Sequence, residues 1–170
     1  MLLLFAALVA AASLELYANQ GQIMKGFFES LFSDQPLKPL TLSTLRRNKR
    51  PPSYLAADAD QTSAKTSTGA LRLMAEPQAV EAAVRDLALN SLGAKERSDG
   101  GNLLFIDRTP TLRFPDGLHV WIDAVDDHAR VAMYSRSVYA GAKDFGVNQR
   151  RVRYMLQELS KRFPSDSSAD

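Results

Sequence analysis

The stretch LHVWIDAVDDHARVAMYSRS, residues 118–137, holds two runs in which apolar and polar side chains alternate, separated by a pair of aspartates. Alternation with a period of two is typical of a β-strand with one buried face. Asp126 and Asp127 are turn-forming residues, so the stretch predicts an antiparallel β-hairpin. In its first strand we expect Leu118, Val120, Ile122 and Ala124 on one face, and His119, Trp121 and Asp123 on the other.

Further elements flank this hairpin. LLFIDRT (103–109) predicts a strand that ends at Pro110, and LRLM (71–74) predicts a short strand. Pro77 and Gly93 delimit a helix whose apolar stripe is Val80, Val84, Leu87 and Leu92. A last helix starts with Asn148 as its N-cap and ends before Pro164. Its stripe is Val152, Met155, Leu156, Leu159 and Phe163, and the residues off it are Arg150, Arg151 and Arg153.

This order of elements predicts an α+β fold, a two-layer sandwich. An antiparallel sheet of three or more strands packs against an N-side helix and a C-terminal helix, preceded by an N-terminal apolar helix and a Pro-rich arm. The predicted organisation is an anchor helix over 1–32, a Pro-rich extended arm or linker over 33–69, the α+β domain over 70–163 and a disordered tail over 164–170.

The chain begins with MLLLFAALVAAASL, an uncharged apolar run interrupted by Glu15. Its length suits the core of a cleaved signal peptide, but no Lys or Arg precedes it and an amphipathic pattern continues to Phe32. We therefore expect an uncleaved membrane anchor, with a cleaved signal peptide and a buried amphipathic helix as the alternatives. Candidate membrane or partner contacts are Phe27, Phe28, Arg46, Arg47, Lys49 and Arg50, although the basic cluster is also consistent with a solvated turn.

The composition excludes several classes of function. The chain has no cysteine, so disulfides, thiolate catalysis and iron–sulfur clusters are excluded. The net charge is only +2, so overall charge does not indicate nucleic-acid binding, and we expect no nucleic acid as a partner. A serine hydrolase built on His119 with Ser135 or Ser137 lacks a nucleophile elbow, and His128 falls in the hairpin turn. No ligand spacing indicates a metal, and we expect no cofactor.

Several sequence segments resemble those of a known family. RFPDGLHVWI (113–122), followed by YSRSVYAGAKDFGVNQRRVRYML (134–156), resembles the bacterial and plastid family called domain of unknown function 1499. RPPSYLAADADQTSAK (50–65) is similar to the start of its proteobacterial branch, and the likeness covers roughly 50–163. The chain departs from many relatives at Ala57, where they have cysteine, and at Val138, where they have a basic residue. The resemblance implies an N-terminal apolar segment but no particular activity.

The predicted strand ends bring one polar set together: Arg108, Arg113, Asp116, Ser135, Arg136, Ser137, Asp144 and Asn148. One interpretation is a structural network, in which Arg108 and Arg136 share a sheet face and pair with Asp116 and Asp144, while Asp144 and Asn148 cap the last helix. The other is a pocket in which Arg136 and the helix N-terminus bind a carboxylate or phosphate.

The sequence therefore supports two functional hypotheses. The first is a non-enzymatic, membrane-anchored accessory or binding domain, facing the periplasm or a lumen, that acts as a subunit or partner of a membrane or envelope complex. Its partners are the membrane, through the N-terminal helix, and another protein. The alternative is a small anionic-ligand binder, or an enzyme, that uses the Arg/Asp/Ser pocket near the last strand and the N-terminus of the final helix.

Overall fold

A computed structural model describes residues 37–47, 53–99, 102–109, 114–138 and 146–164. The predicted anchor helix over 1–32 lies outside these residues. The described strands are β1 (Ser53–Ala56), β2 (Leu71–Leu73), β3 (Lys95–Glu96), β4 (Leu103–Arg108), β5 (Pro115–Val125) and β6 (His128–Ser137). The described helices are α1 (Pro77–Asp86), which continues as a π-helical turn (Leu87–Ser91), and α2 (Val147–Arg162).

The predicted hairpin is confirmed as the centre of the sheet. β5 and β6 pair antiparallel from Val125 opposite His128 to Asp116 opposite Ser137. Asp126 in the turn has a φ of 52°, a left-handed conformation that aspartate tolerates better than most residues. The predicted faces are also correct, since Val120 and Trp121 belong to apolar clusters on opposite sides of the sheet.

The six strands form one antiparallel sheet in the order β1, β6, β5, β4, β3, and β2 also pairs with β6. β1 pairs with the second half of β6, opposite residues 133–136, and β2 with its first half, opposite residues 129–131. One edge of the hairpin is therefore covered by two short strands in succession. β1 lies within residues 33–69, for which the sequence predicts an extended arm or linker and no strand.

Both helices pack on the same face of this sheet, which confirms the α+β class. Val84 of α1 and Met155 of α2 share one core with Phe105 and Met133 from the strands. Gly93, with a φ of 66°, follows the π-helical turn as predicted for a helix end. Within the described ranges, no helix is both long and apolar enough to cross a membrane.

The start of α2 differs from the prediction. The helix begins at Val147, and its N-cap is Gly146, with a φ of 78° that favours glycine. Asn148 therefore lies inside the first turn, and its predicted role as the N-cap is wrong. Its side chain is fully buried against β6.

The other face of the sheet is covered by irregular chain. Residues 37–47, which we call the arm, place Leu37, Leu42 and Leu45 in buried positions against the strands. The end of the arm is fixed by Arg47, which donates hydrogen bonds to the carbonyl oxygens of Ser53 at 2.6 Å and Lys65 at 2.8 Å. The sheet is thus enclosed between two helices on one face and its own N-terminal arm on the other.

Candidate functional site

Six polar side chains meet at one end of the sheet, beneath the N-terminal part of α2. Asp107 and Asp116 are directly opposite each other on β4 and β5. Two hydroxyls come from β6, and an amide and a guanidinium come from α2. We call this set the Arg151 cluster, and its members are Asp107, Asp116, Ser135, Ser137, Asn148 and Arg151.

Arg151 lies at the centre of the cluster, and its side chain is only 3% exposed. Its Nε and Nη2 donate to Oδ2 of Asp107 at 3.0 and 2.6 Å, and Nη2 also donates to Oδ2 of Asp116 at 3.1 Å. Its Nη1 donates to Ser135 Oγ at 2.9 Å and to Asn148 Oδ1 at 3.1 Å. All three guanidinium nitrogens are engaged, so the side chain has one defined orientation.

Asn148 connects the helix to the end of β6. The hydroxyl of Ser135 donates to Asn148 Oδ1 at 2.7 Å, and Asn148 Nδ2 donates to Ser137 Oγ at 3.1 Å. An amide is suited to this position because it offers an acceptor to one hydroxyl and a donor to the other. Both polar atoms of the buried amide thus have hydrogen-bond partners, whereas an unpaired buried amide would destabilise the fold.

The cluster has an unequal charge balance. Arg151 contacts two carboxylates, so the three groups carry a net charge of −1 when both acids are ionised. Burial raises the pKa of the Asp116 carboxyl, although Arg151 and the hydroxyl of Ser137 act in the opposite direction. The negative charge of Asp107 adds to the upward shift of that pKa.

The geometry of Ser135 contradicts the serine-hydrolase hypothesis. His119 is opposite Tyr134 in the register, and Leu118 is opposite Ser135, so His119 and Ser135 point to different faces of the sheet. The hydroxyl of Ser135 donates to an amide oxygen, which is not a base that could activate it. The pairing of His119 with Ser135 that this hypothesis requires is therefore not formed.

Two central members, Arg151 and Asp107, are missing from the polar set that the sequence predicted. The sequence pattern places Arg151 off the apolar stripe of the last helix. Its spacing could have corrected this, since Arg151 precedes Met155 by four residues and Leu159 by eight and so continues the buried stripe. Asp107 alternates with Arg108 along β4, which places the acid on the helix face.

Two arginines of the predicted set, Arg108 and Arg136, lie on the opposite face. Arg108 is opposite Pro115, and Arg136 is opposite Gly117, which puts both on the face covered by the arm. Asp116 is on the helix face and bonds to Arg151 instead. The predicted pairing of Asp116 with Arg108 or Arg136 is therefore not formed.

A second cluster occupies this arm-covered face. We call it the outer-face cluster, and its members are Gly117, His119, Trp121, Tyr134 and Arg136. The His119 ring stacks on Trp121 with centroids 5.9 Å apart and lies 6.1 Å from the ring of Tyr134. His119 is fully buried, and neither of its ring nitrogens has a hydrogen-bond partner in the part of the chain described. Burial lowers the pKa of His119 to about 3, and the nearby charge of Arg136 contributes.

The arm closes over this cluster through one carbonyl and one side chain. The carbonyl oxygen of Leu40 accepts hydrogen bonds from Trp121 Nε1 at 3.1 Å and from Asn102 Nδ2 at 2.9 Å. The side chain of Leu37 lies directly over Gly117, where an added Cβ would come within 2.6 Å of Leu37 Cδ2. Glycine at this position is what allows the arm to approach the sheet so closely.

Several predicted site residues lie outside the described part of the chain. These are Arg113 and Asp144 of the polar set, and Phe27, Phe28, Lys49 and Arg50 of the predicted contact surface. Of the other two basic contacts, Arg46 is exposed and Arg47 bonds to its own domain. Within the described ranges, no group of three acidic or histidine side chains is arranged to hold a metal ion.

Both clusters lie within the part of the chain that matches a known protein family. The model of the family described as Protein of unknown function (DUF1499) matches residues 37–159, from the start of the arm to the last buried turn of α2. No curated protein sequence matches the chain. Because the match covers most of its length, the chain belongs to the DUF1499 family.

Proposed function

We propose that this chain is a non-enzymatic accessory or binding domain, attached to a membrane by its N-terminal segment, and a subunit or partner of a membrane or envelope complex. The domain faces the periplasm or a lumen in this proposal, because an uncharged apolar run of this length followed by a polar domain is typical of exported chains.

The observation that carries the proposal is the attachment of the arm to the sheet. Leu37 is buried, and only four residues separate it from Phe32, the last apolar residue of the N-terminal segment. An extended chain covers at most about 3.4 Å per residue, so this connection spans no more than roughly 17 Å. A domain tied this closely to a membrane-bound segment is restricted to the membrane surface, as suits a subunit of a membrane complex.

The Arg151 cluster also supports a non-enzymatic function. On the helix face its arginine, hydroxyls and amide bond to one another, so the Asp116 and Ser135 side chains of the alternative hypothesis already have Arg151 as their partner. The same burial weighs against nucleic acid as a partner. It leaves only Arg150 and Arg153 exposed in the first turns of α2, too few for a basic surface.

The proposal can be tested by extracting the full chain from native membranes in mild detergent. Mass spectrometry would then identify co-purifying proteins and the N-terminal residue of the chain itself. We expect an intact N-terminus and a defined complex. A chain trimmed after Ala12 that migrates alone would overturn the proposal.

Two exposed arginines offer a matched pair for locating the contact. Arg46 lies near the end of the arm, in the predicted contact surface, and Arg153 is exposed on α2, where the proposal requires no partner. Arg46→Gln should weaken co-purification of the partner, whereas Arg153→Gln should leave it unchanged. Equal effects of the two substitutions would argue against a contact at the arm.

A further inference from the structure

In the outer-face cluster His119 is fully buried and Arg136 is half-buried, and three nitrogen atoms of these two side chains are shielded from solvent without a hydrogen-bond partner in the described residues. Neither ring nitrogen of His119, nor Nε of Arg136, has a hydrogen-bond partner in the described part of the chain. A buried polar group left in this state destabilises the folded protein. On the helix face, by contrast, the Arg151 guanidinium is paired through all three nitrogens. The two unpaired groups therefore require an explanation of their own.

Both groups border the same point on the sheet. Gly117 is directly opposite Arg136, and an added Cβ at Gly117 would lie 3.4 Å from Nε2 of His119. The space above this glycine is filled by the forked end of Leu37, whose two methyl carbons would lie 2.6 and 3.7 Å from the same point. An aliphatic side chain thus lies over the glycine that is beside His119 Nε2 and directly across from Arg136, and it can form a hydrogen bond with neither.

A carboxylate has the same forked shape as the isopropyl end of leucine. Placed where the Leu37 methyl groups lie, its two oxygens could accept hydrogen bonds from the guanidinium of Arg136 and from the ring of His119. The described residues provide no carboxylate for Arg136 on this face, since Asp116 is directed to the helix side. The site is therefore complementary in shape and in charge to a group that the described chain does not supply.

We propose that the outer-face cluster is a carboxylate-binding site, formed by Arg136 and His119 around Gly117 and closed in this conformation by Leu37 of the arm. The ligand is a carboxylate on a short stem, either a free small acid or an acidic side chain, because both present the same group. Binding requires the Leu37 end of the arm to leave the sheet. The inference goes beyond the proposed membrane function and does not depend on it, since the site is formed within the chain itself.

The first test supplies the carboxylate from the arm itself. In the full chain, Leu37→Asp is compared with Leu37→Asn, which has the same shape without the charge. If the site binds a carboxylate, the Asp variant melts at a higher temperature than the Asn variant, and adding Arg136→Gln removes this difference. If the position is only an apolar contact, the Asn variant melts at the higher temperature, because a buried unpaired charge is more costly than a buried amide. That order, or an Asp variant that fails to fold while the Asn variant folds, would overturn the proposal.

The second test supplies the carboxylate in solution. Leu37→Ala opens the space above Gly117, and acetate is titrated against this variant while the ring signals of His119 are followed by NMR. We expect saturable binding in the millimolar range, at least about tenfold weaker when Arg136→Gln is added. Inorganic phosphate serves as the comparison anion and is expected to bind more weakly, because a tetrahedral group does not match the planar fork. Absence of saturable acetate binding, or equal binding with and without Arg136, would contradict the proposal.

Discussion

Arg151 and Asp107 are joined by two hydrogen bonds, from Nε at 3.0 Å and from Nη2 at 2.6 Å, both to Oδ2 of the acid. This pair links the first turns of α2 to the end of β4, two elements that are 44 positions apart in sequence at these residues. The end of the sheet is therefore ordered by a charge pair and not by apolar contact alone.

Replacing Arg151 with methionine should be strongly destabilising. The substitution keeps the apolar stem but leaves two carboxylates without their cation, and removal of one partner from a buried ion pair costs about 3–5 kcal/mol. Thermal or urea unfolding measures this loss. Arg153→Met, at an exposed position two residues further along the same helix, is the control and should change the free energy of unfolding by less than about 0.5 kcal/mol.

Replacing Asp116 with asparagine should have a small effect at neutral pH, or even a stabilising one. The Arg151–Asp107 pair remains, while a carboxyl whose pKa is raised by burial is removed. Because the raised pKa makes the folded state bind the proton more tightly, wild-type stability falls as pH rises from the ordinary value of 3.8 through the folded value. Unfolding measured from pH 4 to pH 7 should show the advantage of the variant growing with pH. An advantage that does not change with pH would contradict this assignment.

The lowered pKa of His119 predicts that stability falls as the pH decreases, which is the opposite of the dependence expected for Asp116. Burial lowers the pKa of His119 from 6.5 to about 3, so the unfolded chain takes up a proton between these values and the folded chain does not. His119 therefore does not reduce the free energy of unfolding above pH 6.5. As the pH falls from 6.5 towards 3, protonation of His119 in the unfolded chain lowers that free energy, by roughly 4–5 kcal/mol at the lower limit.

The test compares wild type with His119→Leu, which fills a similar volume and cannot titrate. Between pH 6.5 and pH 4 the wild-type chain should lose more stability than the variant. Parallel curves over this interval would mean that the histidine is hydrated or paired in the folded protein.

Gly117→Ala should disturb the arm rather than the strand. Its new Cβ would lie 2.6 Å from Leu37 Cδ2, so the leucine must move, and overpacking of this kind costs about 1–3 kcal/mol. Hydrogen exchange over residues 37–47 should increase. In a Leu37→Ala background the same substitution should cost almost nothing, because the opposing methyl group is gone. Equal costs in both backgrounds would show that the strain lies in β5 itself.

The parts of the fold that follow from local pattern were predictable. The hairpin, its two faces and both helices depend on periodicity and on turn residues such as Asp126 and Gly93, which are visible within a short window. β1 was not predicted because its four residues follow two prolines and carry no repeat. Its partner strand, β6, begins more than 70 residues later.

The candidate sites were harder to predict, since their members come from separate elements. The structure brings together four residues of the predicted polar set, Asp116, Ser135, Ser137 and Asn148, whereas Arg136 faces the other way. A one-residue step along a strand reverses the face, so neighbours in sequence such as Ser135 and Arg136 belong to different clusters. Arg151 was placed off the apolar stripe of the last helix, because arginine is seldom buried unless it is paired and its carboxylate partners come from distant strands.

The pairing of β1 with β6 has a consequence for the newly synthesised chain. Ser53 pairs with Arg136, so about 80 further residues must be synthesised after β1 before its partner strand is available. At a synthesis rate of roughly 5–20 residues per second, this delay lasts about 4–16 s. Until then the arm has no completed sheet on which to close. The edge strand β1 and the buried leucines of the arm are thus without their packing partners for several seconds before the domain can fold.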